Sequence, residues 1–364
     1  MKIMTVIGAR PQFVKAAVIS RAILKQGGIT EVIVHSGQHF DKNMSDIFFE
    51  EMEIPRPNHL LDIHGLSHGA MTGRMLEQIE ALILEEKPDY VLVFGDTNTT
   101  LAAALAAKKL AVKTVHVEAG VRNFDEYMPE EINRYLVDRV AELNFCCTWL
   151  GEENLKKEGY YGGNISTKIF NYGDVMLDAT LYYKKKALQN STIIDKLGLR
   201  DTPFVLSTIH RASNTDDPAI LTGLVEALNE INRTCRVVLP IHPRTRQKVA
   251  ALGLQLEVTT LDPIGYFDMT ALLDASTYIL TDSGGVVREA YFFGKPSLLL
   301  LEKPLWPELV TEGVCFNTVP EKEAILAQFR RLGEGQFDFS RHIFGDGYAG
   351  DKIIQEIVKD YHGN

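Results

Sequence analysis

The sequence predicts an α/β fold made of two doubly wound, Rossmann-like domains, each built on a parallel sheet. Strand-like and helix-like segments alternate along the chain, which is the pattern that βαβ units produce. A polar stretch of poor periodicity, residues 187–203, separates two such series. The length of 364 residues also exceeds the size at which a single hydrophobic core keeps growing. We therefore expect two successive domains of the same class.

The first series begins at the N-terminus. Apolar segments predict strands at 3–7, 31–35, 90–94, 114–117, 143–147 and 169–172. Segments with helical spacing predict helices at 11–25, 71–86 and 97–110. The run YVLVF at 90–94 is apolar throughout and ends at Gly95 and Asp96, which is typical of a strand buried on both faces.

The second series follows the polar stretch. It predicts strands at 204–209, 236–241, 256–260, 278–280 and 297–301, separated by helical segments. An amphipathic helix is predicted at 351–361.

Composition narrows the functional class. A hydrophobic share of 45% and a charged share of 24% are ordinary for a globular enzyme. The net charge of −10 argues against a nucleic-acid partner, although a local basic cleft can still bind a phosphate. No apolar run reaches the ~18 residues of a membrane span, and the N-terminus lacks a signal-peptide pattern. The four cysteines form no C-x-x-C pair. We expect a cytoplasmic protein without a membrane partner.

Unusual polar residues stand directly after predicted strands in both series. They are Arg10, Asp96, Glu118, His210 and Ser283. Parallel sheets place function at the carboxyl ends of their strands. The two domains are therefore predicted to face a common cleft that holds the site.

The segment TDSGGVVREA, residues 281–290, predicts an anion site. Gly284 and Gly285 let the backbone approach a ligand, and the first helical turn points its amides at that ligand. Ser283 adds a hydroxyl donor, and Glu289 could accept hydrogen bonds from a ribose. The alternative is a plain strand-to-helix turn that Ser283 caps.

Two basic segments offer further phosphate contacts. In IGARPQFVK, Arg10 offers a bidentate fork for a diphosphate and Lys15 a point charge. In IHRASNTDDP, His210 and Arg211 could contact a phosphate, and His210 could also transfer a proton. The alternative for each pair is a solvated surface position. His242 and Arg244 form a weaker basic strand end.

Three carboxylates are the acid–base candidates. Asp96 and Glu118 each follow an apolar strand, and Glu130 opens a helix after Pro129. Buried or crowded carboxylates can exchange protons near neutral pH. The alternatives are a helix N-cap for Asp96 and stabilisation of the helix dipole for Glu130. His64 and His68 are spaced as a metal pair, but no matching acidic partner is evident, so we predict no metal site.

These segments together resemble the non-hydrolysing UDP-N-acetylglucosamine 2-epimerases. The matching stretches run in family order along nearly the whole chain: GARPQFVK, SGQHFDKNMSDIFFE, GDTNTT, HVEAGVR, MPEEINR, STIHRASNTDD, LTDSGGVVREA, FFGKP and GDGYAGDKI. The ordered series is far more specific than any single member.

The resemblance implies a glycosyltransferase-B architecture whose final helix crosses back to the first domain. On this basis residues 1–173 and 351–364 form an acid–base domain, and residues 174–350 form a UDP-binding domain. The resemblance also implies reversible epimerisation at C2 of a UDP-2-acetamido sugar, UDP-GlcNAc to UDP-ManNAc, for surface polysaccharide precursors. It implies a homodimer that uses neither NAD nor an essential metal.

The resemblance also assigns roles to residues. The ligands of diphosphate and uridine would be Arg10, Lys15, Ser283, Gly284, Gly285 and Glu289. The chemistry would fall to Asp96, Glu118, Glu130 and His210, with Arg134 holding the acidic cluster or the substrate.

Several stretches depart from the best-known members of the family. Gln12 stands where the family usually has Glu, and Trp306 stands where an Arg is usual. GQHFD, LDIHG and HRASNTDD are similar to the branch that includes UDP-2,3-diacetamido-glucuronate 2-epimerases. Phe40 and Asp41 also alter a segment that binds an activating substrate elsewhere, so we expect no obligatory activator. A UDP-sugar glycosyltransferase, a hydrolysing epimerase and a non-catalytic UDP-sugar-binding protein are the alternatives.

Overall fold

A computed structural model describes residues 1–38, 54–161 and 167–363. The chain divides into two compact units, Met1–Leu181 with Ile343–Asn364 and Tyr182–His342. The sequence-based bounds lie at 173 and 350. The division after Leu181 falls inside a continuous helix, Val175–Asn190, so no break in the local sequence pattern marks it.

Unit 1 contains a sheet of seven strands. They are β1 (Lys2–Ile7), β2 (Thr30–His35), β3 (His59–Leu60), β4 (Tyr90–Phe94), β5 (Lys113–Ala119), β6 (Leu143–Cys146) and β7 (Lys168–Asn171). Their order is β3-β2-β1-β4-β5-β6-β7, and the described pairs are parallel. The carboxyl ends of β1, β4 and β5 are therefore neighbours on one edge.

Within the described residues, six helices follow the strands of unit 1 in chain order, before the last helix of the chain. They are α1 (Arg10–Gln26), α2 (His68–Glu86), α3 (Asn98–Lys109), α4 (Pro129–Val140), α5 (Trp149–Lys157) and α6 (Val175–Asn190). The alanines of α3 at 102–104, 106 and 107 are fully buried. Their small side chains let α3 lie close to both the sheet and α2, since methyl groups add little thickness to the contact.

Unit 2 contains a parallel sheet of six strands. They are β8 (Phe204–Thr208), β9 (Arg236–Pro240), β10 (Thr259–Leu261), β11 (Tyr278–Thr281), β12 (Ser297–Leu299) and β13 (Cys315–Asn317). The order is β10-β9-β8-β11-β12-β13. Its helices are α7 (Ile193–Lys196), α8 (Ala212–Thr215), α9 (Pro218–Asn232), α10 (Pro243–Ala251), α11 (Tyr266–Ala275), α12 (Gly284–Phe292), α13 (Pro307–Thr311) and α14 (Lys322–Glu334).

The last helix, α15 (Ala349–His362), belongs to unit 1 and packs against α1. The close packing of this segment against unit 1 requires glycine at two positions. A Cβ on Gly345 would lie 2.8 Å from the Cα of Gly173, and one on Gly350 would lie 2.6 Å from Val18. Near its end, the buried carboxylate of Asp360 accepts a hydrogen bond of 2.7 Å from the Tyr90 hydroxyl. The GDGYAGDKI stretch therefore returns the chain to the first unit.

The predicted fold class, two parallel sheets with alternating helices, is confirmed. The details differ where the local signal is weak. The supposed connection at 187–203 contains the end of α6 and all of α7, and the strand predicted at 256–260 is β10 at Thr259–Leu261. The short strands β3 and β13 have too few residues to form a recognisable pattern. No helix in the described part of the chain has the length and apolar character to cross a membrane.

Candidate active site

Glu118 has a strained backbone conformation at the carboxyl edge of the unit 1 sheet. The register of β5 against β6 shifts between Val117 and Ala119, so Glu118 is an extra, bulged residue. Its φ is +78°, a left-handed conformation that costs a non-glycine residue ~1–2 kcal/mol. Bulges re-aim a side chain and are over-represented next to active sites. The strain therefore indicates a functional carboxylate.

Lys15 lies against this carboxylate. Its ammonium group is 2.6 Å from Glu118 Oε2, and its side chain is only 4% exposed. The same ammonium and Glu118 Oε1 each lie 3.6 Å from the position of a Cβ on Gly95. This ion pair holds the Glu118 carboxylate in place beside the Gly95 turn. Lys15 was predicted as a diphosphate ligand, and the structure places it on Glu118.

Asp96 follows β4, and its carboxylate is held by Arg134 of α4. The guanidinium of Arg134 donates to Asp96 Oδ2 and, at 2.8 Å, to Glu131 Oε2. Burial opposes the charge of Arg134, but Asp96 and Glu131 raise its pKa above the ordinary value. The N-cap of α3 is Thr97, whose hydroxyl accepts from Thr100 N at 3.3 Å. Asp96 therefore does not serve as the cap of that helix.

Gln12 joins the turn after β1 to the turn after β4. Its Oε1 accepts from the amides of Gly8 and Ala9 at 2.7 and 3.0 Å. Its Nε2 contacts the Phe94 carbonyl at 2.8 Å and the hydroxyls of Thr97 and Thr100 at 3.1 and 3.0 Å. This buried amide therefore fixes the two turns that carry Arg10 and Asp96.

In unit 2, a buried carboxylate organises the turn after β8. Asp282 Oδ2 accepts from the amides of His210 and Arg211, each at 2.9 Å. Its Oδ1 lies 3.0 Å from Nδ1 of His210, whose side chain is 50% exposed. Burial alone would raise the pKa of Asp282, but His210 and the two amides lower it below its ordinary value. Asp282 therefore orients His210 with Nε2 pointing away from this contact.

The start of α12 carries the predicted anion site. Ser283 is its N-cap and accepts from Val286 N at 3.4 Å, as the plain capping interpretation required. A Cβ on Gly284 would lie 3.0 Å from Leu305, whereas one on Gly285 would meet only Ser283 Oγ at 3.7 Å. The Trp306 indole donates to the Gly284 carbonyl at 3.0 Å. The first turn of α12 is therefore supported from one side and open at Gly285.

One group of described side chains brings metal-ligand atoms together. These atoms of Glu118, Cys147 and Asp174 lie within 4.8 Å of one another. The ammonium of Lys15 already contacts this group through Glu118. His64 and His68 lie outside it, and His68 Nδ1 is 3.1 Å from the amide nitrogen of Asn98.

Comparison with known proteins decides the family. The family described as UDP-N-acetylglucosamine 2-epimerase matches residues 21–358. The chain belongs to the UDP-N-acetylglucosamine 2-epimerase family. It is therefore an isomerase, and its resemblance to this family is confirmed.

Individual relatives of this epimerase extend over its whole length. UDP-2,3-diacetamido-2,3-dideoxy-D-glucuronate 2-epimerase of Pseudomonas aeruginosa is 50% identical and aligns over 99% of this chain and 100% of its own. UDP-N-acetylglucosamine 2-epimerase of Methanococcus maripaludis is 38% identical over 98% of both chains. A solved structure that matches this chain is the crystal structure of the Methanocaldococcus jannaschii UDP-GlcNAc 2-epimerase in complex with UDP-GlcNAc and UDP, with 36% sequence identity. It covers 98% of this chain and 99% of its own, with a TM-score of 0.89.

The remaining predicted site residues of the epimerase take distinct places. Arg10 is the first residue of α1. Glu130 is exposed in the first turn of α4, whereas its neighbour Glu131 is fully buried. Glu289 lies in α12 and is half-buried. The altered activator segment falls largely in residues 39–53, which lie outside the described part of the chain.

Sequence reasoning missed four residues that shape the site. Glu131, Asp282, Gln12 and Trp306 are buried and support the turns that carry the candidate residues. Gln12 and Trp306 did carry a signal, because each departs from the usual family residue. Glu131 and Asp282 stand beside Glu130 and Ser283, and a single sequence does not show which of two adjacent polar residues faces inward.

Proposed function

We propose that this epimerase catalyses reversible inversion at C2 of a UDP-2-acetamido sugar through elimination and re-addition of UDP. The observation that carries the proposal is Glu118. It is a bulged carboxylate with positive φ, ion-paired to a buried lysine, on the same sheet edge as Asp96 and its Arg134 partner. Strain of this kind persists where the surrounding structure supports a function.

The chemistry requires more than one proton-transfer group. The C2 hydrogen of a pyranose has no adjacent carbonyl, so simple deprotonation is too slow. Loss of the C2 proton together with cleavage of the C1–oxygen bond forms a C1=C2 double bond, and UDP leaves with the electron pair. Re-addition of UDP and delivery of a proton to the other face invert C2. Protons and UDP alone move, so the reaction balances without an oxidant.

We assign proton transfer at C2 to the carboxylates of unit 1. Asp96 follows β4, Glu118 lies near the end of the neighbouring strand β5, and Glu130 lies in the first turn of α4. Lys15 and Arg134 are the cations that contact and position the carboxylates of Glu118 and Asp96. His210, oriented by Asp282, is assigned a second proton-transfer or leaving-group role.

We assign UDP binding to the first turn of α12 and to the basic residues. The open position at Gly285 leaves the amides of that turn free of a side chain, and a helix N-terminus favours a diphosphate. Ser283, Gly284 and Glu289 belong to the same element, and Arg10 and Arg211 each begin or cap a helix that follows a strand. These contacts would stabilise the departing diphosphate.

The sequence identities to two relatives with different substrates favour one sugar over the other. The relative that acts on a UDP-2,3-diacetamido-glucuronate is 50% identical, whereas the relative that acts on UDP-N-acetylglucosamine is 38% identical over the same length. UDP-2,3-diacetamido-2,3-dideoxyglucuronate is therefore our preferred substrate, and UDP-N-acetylglucosamine is the second candidate.

A side-by-side rate comparison tests both parts of the proposal. Each UDP-sugar is incubated with the enzyme, and C2 configuration and free UDP are followed by NMR. We expect a kcat/KM at least ~100-fold higher for the diacetamido-glucuronate, because a site built for polar groups rejects analogues that lack them. Equal rates would remove the preference for that sugar. Stoichiometric release of UDP with either sugar would indicate a transferase or hydrolase instead.

We also propose that the enzyme works as a homodimer in the cytoplasm and supplies a surface polysaccharide such as lipopolysaccharide. Membership of the UDP-N-acetylglucosamine 2-epimerase family supports this proposal. Light scattering at working concentration is expected to give twice the 40.7 kDa chain mass. A monomer with full activity would contradict the dimer.

A further inference from the structure

A buried histidine lies two residues before Glu118 in unit 1. His116 lies on β5 and has no exposed surface. Its Nδ1 is 2.7 Å from Asp138 Oδ1, and its Nε2 is 2.7 Å from the carbonyl oxygen of Gly95. Both partners of the ring are thus oxygen acceptors.

This geometry decides the protonation of the ring. A carbonyl oxygen can only accept, so Nε2 must donate to Gly95. An ionised carboxylate can only accept, so Nδ1 must donate to Asp138. Either neutral tautomer would place a bare nitrogen 2.7 Å from an oxygen lone pair. Inside a protein such an unpaired contact is costly.

Asp138 is held in its ionised form. Its Oδ2 lies 2.7 Å from the guanidinium of Arg122 and accepts from the Gly120 amide at 3.2 Å. Arg122 in turn donates to Glu158 through two bonds of 2.8 Å. The four groups therefore alternate in charge and sum to zero when His116 is protonated.

Other titratable groups near Asp138 do not alter this balance. Burial raises the pKa of the Cys146 thiol and of the Tyr160 hydroxyl, so both stay neutral. The ion pairs within this chain are His116–Asp138, Arg122–Asp138 and Arg122–Glu158.

The chain of charges anchors the peptide that precedes Asp96. The Gly95 amide donates to the Val117 carbonyl at 2.9 Å, and the Gly95 carbonyl accepts from His116. Gly95 is thus tied through both polar groups to β5, immediately before Glu118. The Gly120 amide on Asp138 fixes the other side of Glu118. Displacing His116 would shift the two carboxylates relative to each other.

We propose that His116 is a positioning residue, whose imidazolium is clamped by Asp138 and holds the Gly95 carbonyl so that Asp96 and Glu118 keep their relative geometry. The proposal rests on the catalytic roles proposed above. Its first part, the protonation of His116, is independent of them.

The protonation is tested on the wild-type enzyme by 15N NMR of histidine-labelled protein. Of the ten histidines, we expect one to keep two N–H protons at pH 8.5. His35 is the internal contrast, because its Nδ1 accepts from the Gly37 amide at 2.9 Å and burial lowers its pKa to about 4. His116→Gln assigns the signal. A spectrum in which no histidine keeps both protons overturns the proposal, even if His116→Gln does not fold.

The positioning role is tested by kinetics with a matched control. His116→Gln should lower kcat by ~10- to 100-fold with KM and UDP affinity within ~2-fold, because misplaced catalytic groups slow chemistry rather than binding. His59→Gln removes a histidine 2.9 Å from Glu86 and should leave kcat unchanged. A folded His116→Gln enzyme with normal kcat overturns the role. If the wild type epimerises neither UDP-sugar, the proposed function fails while the NMR result still stands.

Discussion

At the scale of single residues, the backbone strain at Glu118 indicates that its carboxylate has a functional role and not a structural one. A left-handed φ at a bulge lowers stability, and a glycine would avoid that cost. The chain keeps a carboxylate there and surrounds it with Lys15 and the Gly95 turn. Asp96 is free of the capping role that its sequence position suggested, because Thr97 caps α3.

Replacement of Glu118 by Gln tests its chemistry. The amide keeps the shape of the side chain but cannot accept a proton, so turnover should fall by at least ~100-fold with UDP affinity unchanged. Glu142→Gln is the control, because Glu142 pairs with Lys108 and Thr114 N near the amino ends of β5 and β6. Turnover of Glu118→Gln within ~3-fold of the wild type would contradict the acid–base assignment.

Replacement of Gln12 by Met tests the link between the two turns. Methionine has a similar volume but leaves the Gly8 and Ala9 amides and the Phe94 carbonyl without this partner. We expect a loss of ~2–3 kcal/mol in the free energy of unfolding and a lower kcat. Gln26→Met, an exposed change on the same helix, should be neutral in urea unfolding. Equal stability of the two variants would show that the link is dispensable.

At the scale of elements, the start of α12 allows two glycines to be compared. Gly285→Ala adds a methyl in open space, so the fold should tolerate it while the methyl obstructs a bound diphosphate. We expect UDP affinity to fall at least ~10-fold with no loss of melting temperature, since alanine favours a helix interior. Gly284→Ala instead requires Leu305 to move and should lower the melting temperature. Calorimetry showing unchanged UDP affinity for Gly285→Ala would remove the anion site from α12.

Elements with a strong local pattern were predictable from sequence, and those made by tertiary contacts were not. The strand at Tyr90–Phe94 was predicted to the residue because all its side chains are buried. The bulge at Glu118 left no trace in the pattern of β5, since it depends on the register with β6. Glu131 and His116 were likewise missed, because their roles depend on partners brought together only by folding.

The C-terminal helix α15 gives a prediction about pH. Asp360 lies among Tyr90, Lys113 and Lys168, which lower its pKa to about 2 against the effect of burial. A depressed pKa stabilises the fold above about pH 4 and loses that stability as the pH falls towards 2. Asp360→Asn should therefore cost ~1–2 kcal/mol at pH 7, and roughly half of that at pH 3.

The control for this prediction is on the same helix. Asp351 pairs with Lys25, whose side chain is 71% exposed, so Asp351→Asn should leave the free energy of unfolding unchanged within error at either pH. Urea unfolding at pH 7 and pH 3 measures both variants. A difference between Asp360→Asn and the wild type that stays constant with pH would show that Asp360 does not titrate as described.

At the scale of the whole molecule, the two units carry different parts of the proposed reaction. Unit 1 holds the strained and ion-paired carboxylates, and unit 2 holds the helix N-terminus proposed for UDP. Neither part alone explains a sugar-nucleotide epimerase, since the C2 proton can leave only when the diphosphate departs. The division of labour was visible in the sequence because the motifs of each part fall in separate βα series.

The most direct test of the account is proton exchange at C2 during epimerisation in D₂O. A UDP-sugar substrate whose glycosidic oxygen is labelled with 18O is incubated with the enzyme. Its C2–H signal is followed by 1H NMR, and the position of the label is followed by 31P NMR. Elimination and re-addition predict that deuterium replaces the C2 proton in the epimerised product, because that proton is lost to a group that exchanges with solvent. They also predict that the label scrambles within the diphosphate, because the C1–oxygen bond breaks. Epimerisation that retains the original C2 proton, or leaves the 18O in place, would contradict elimination and re-addition.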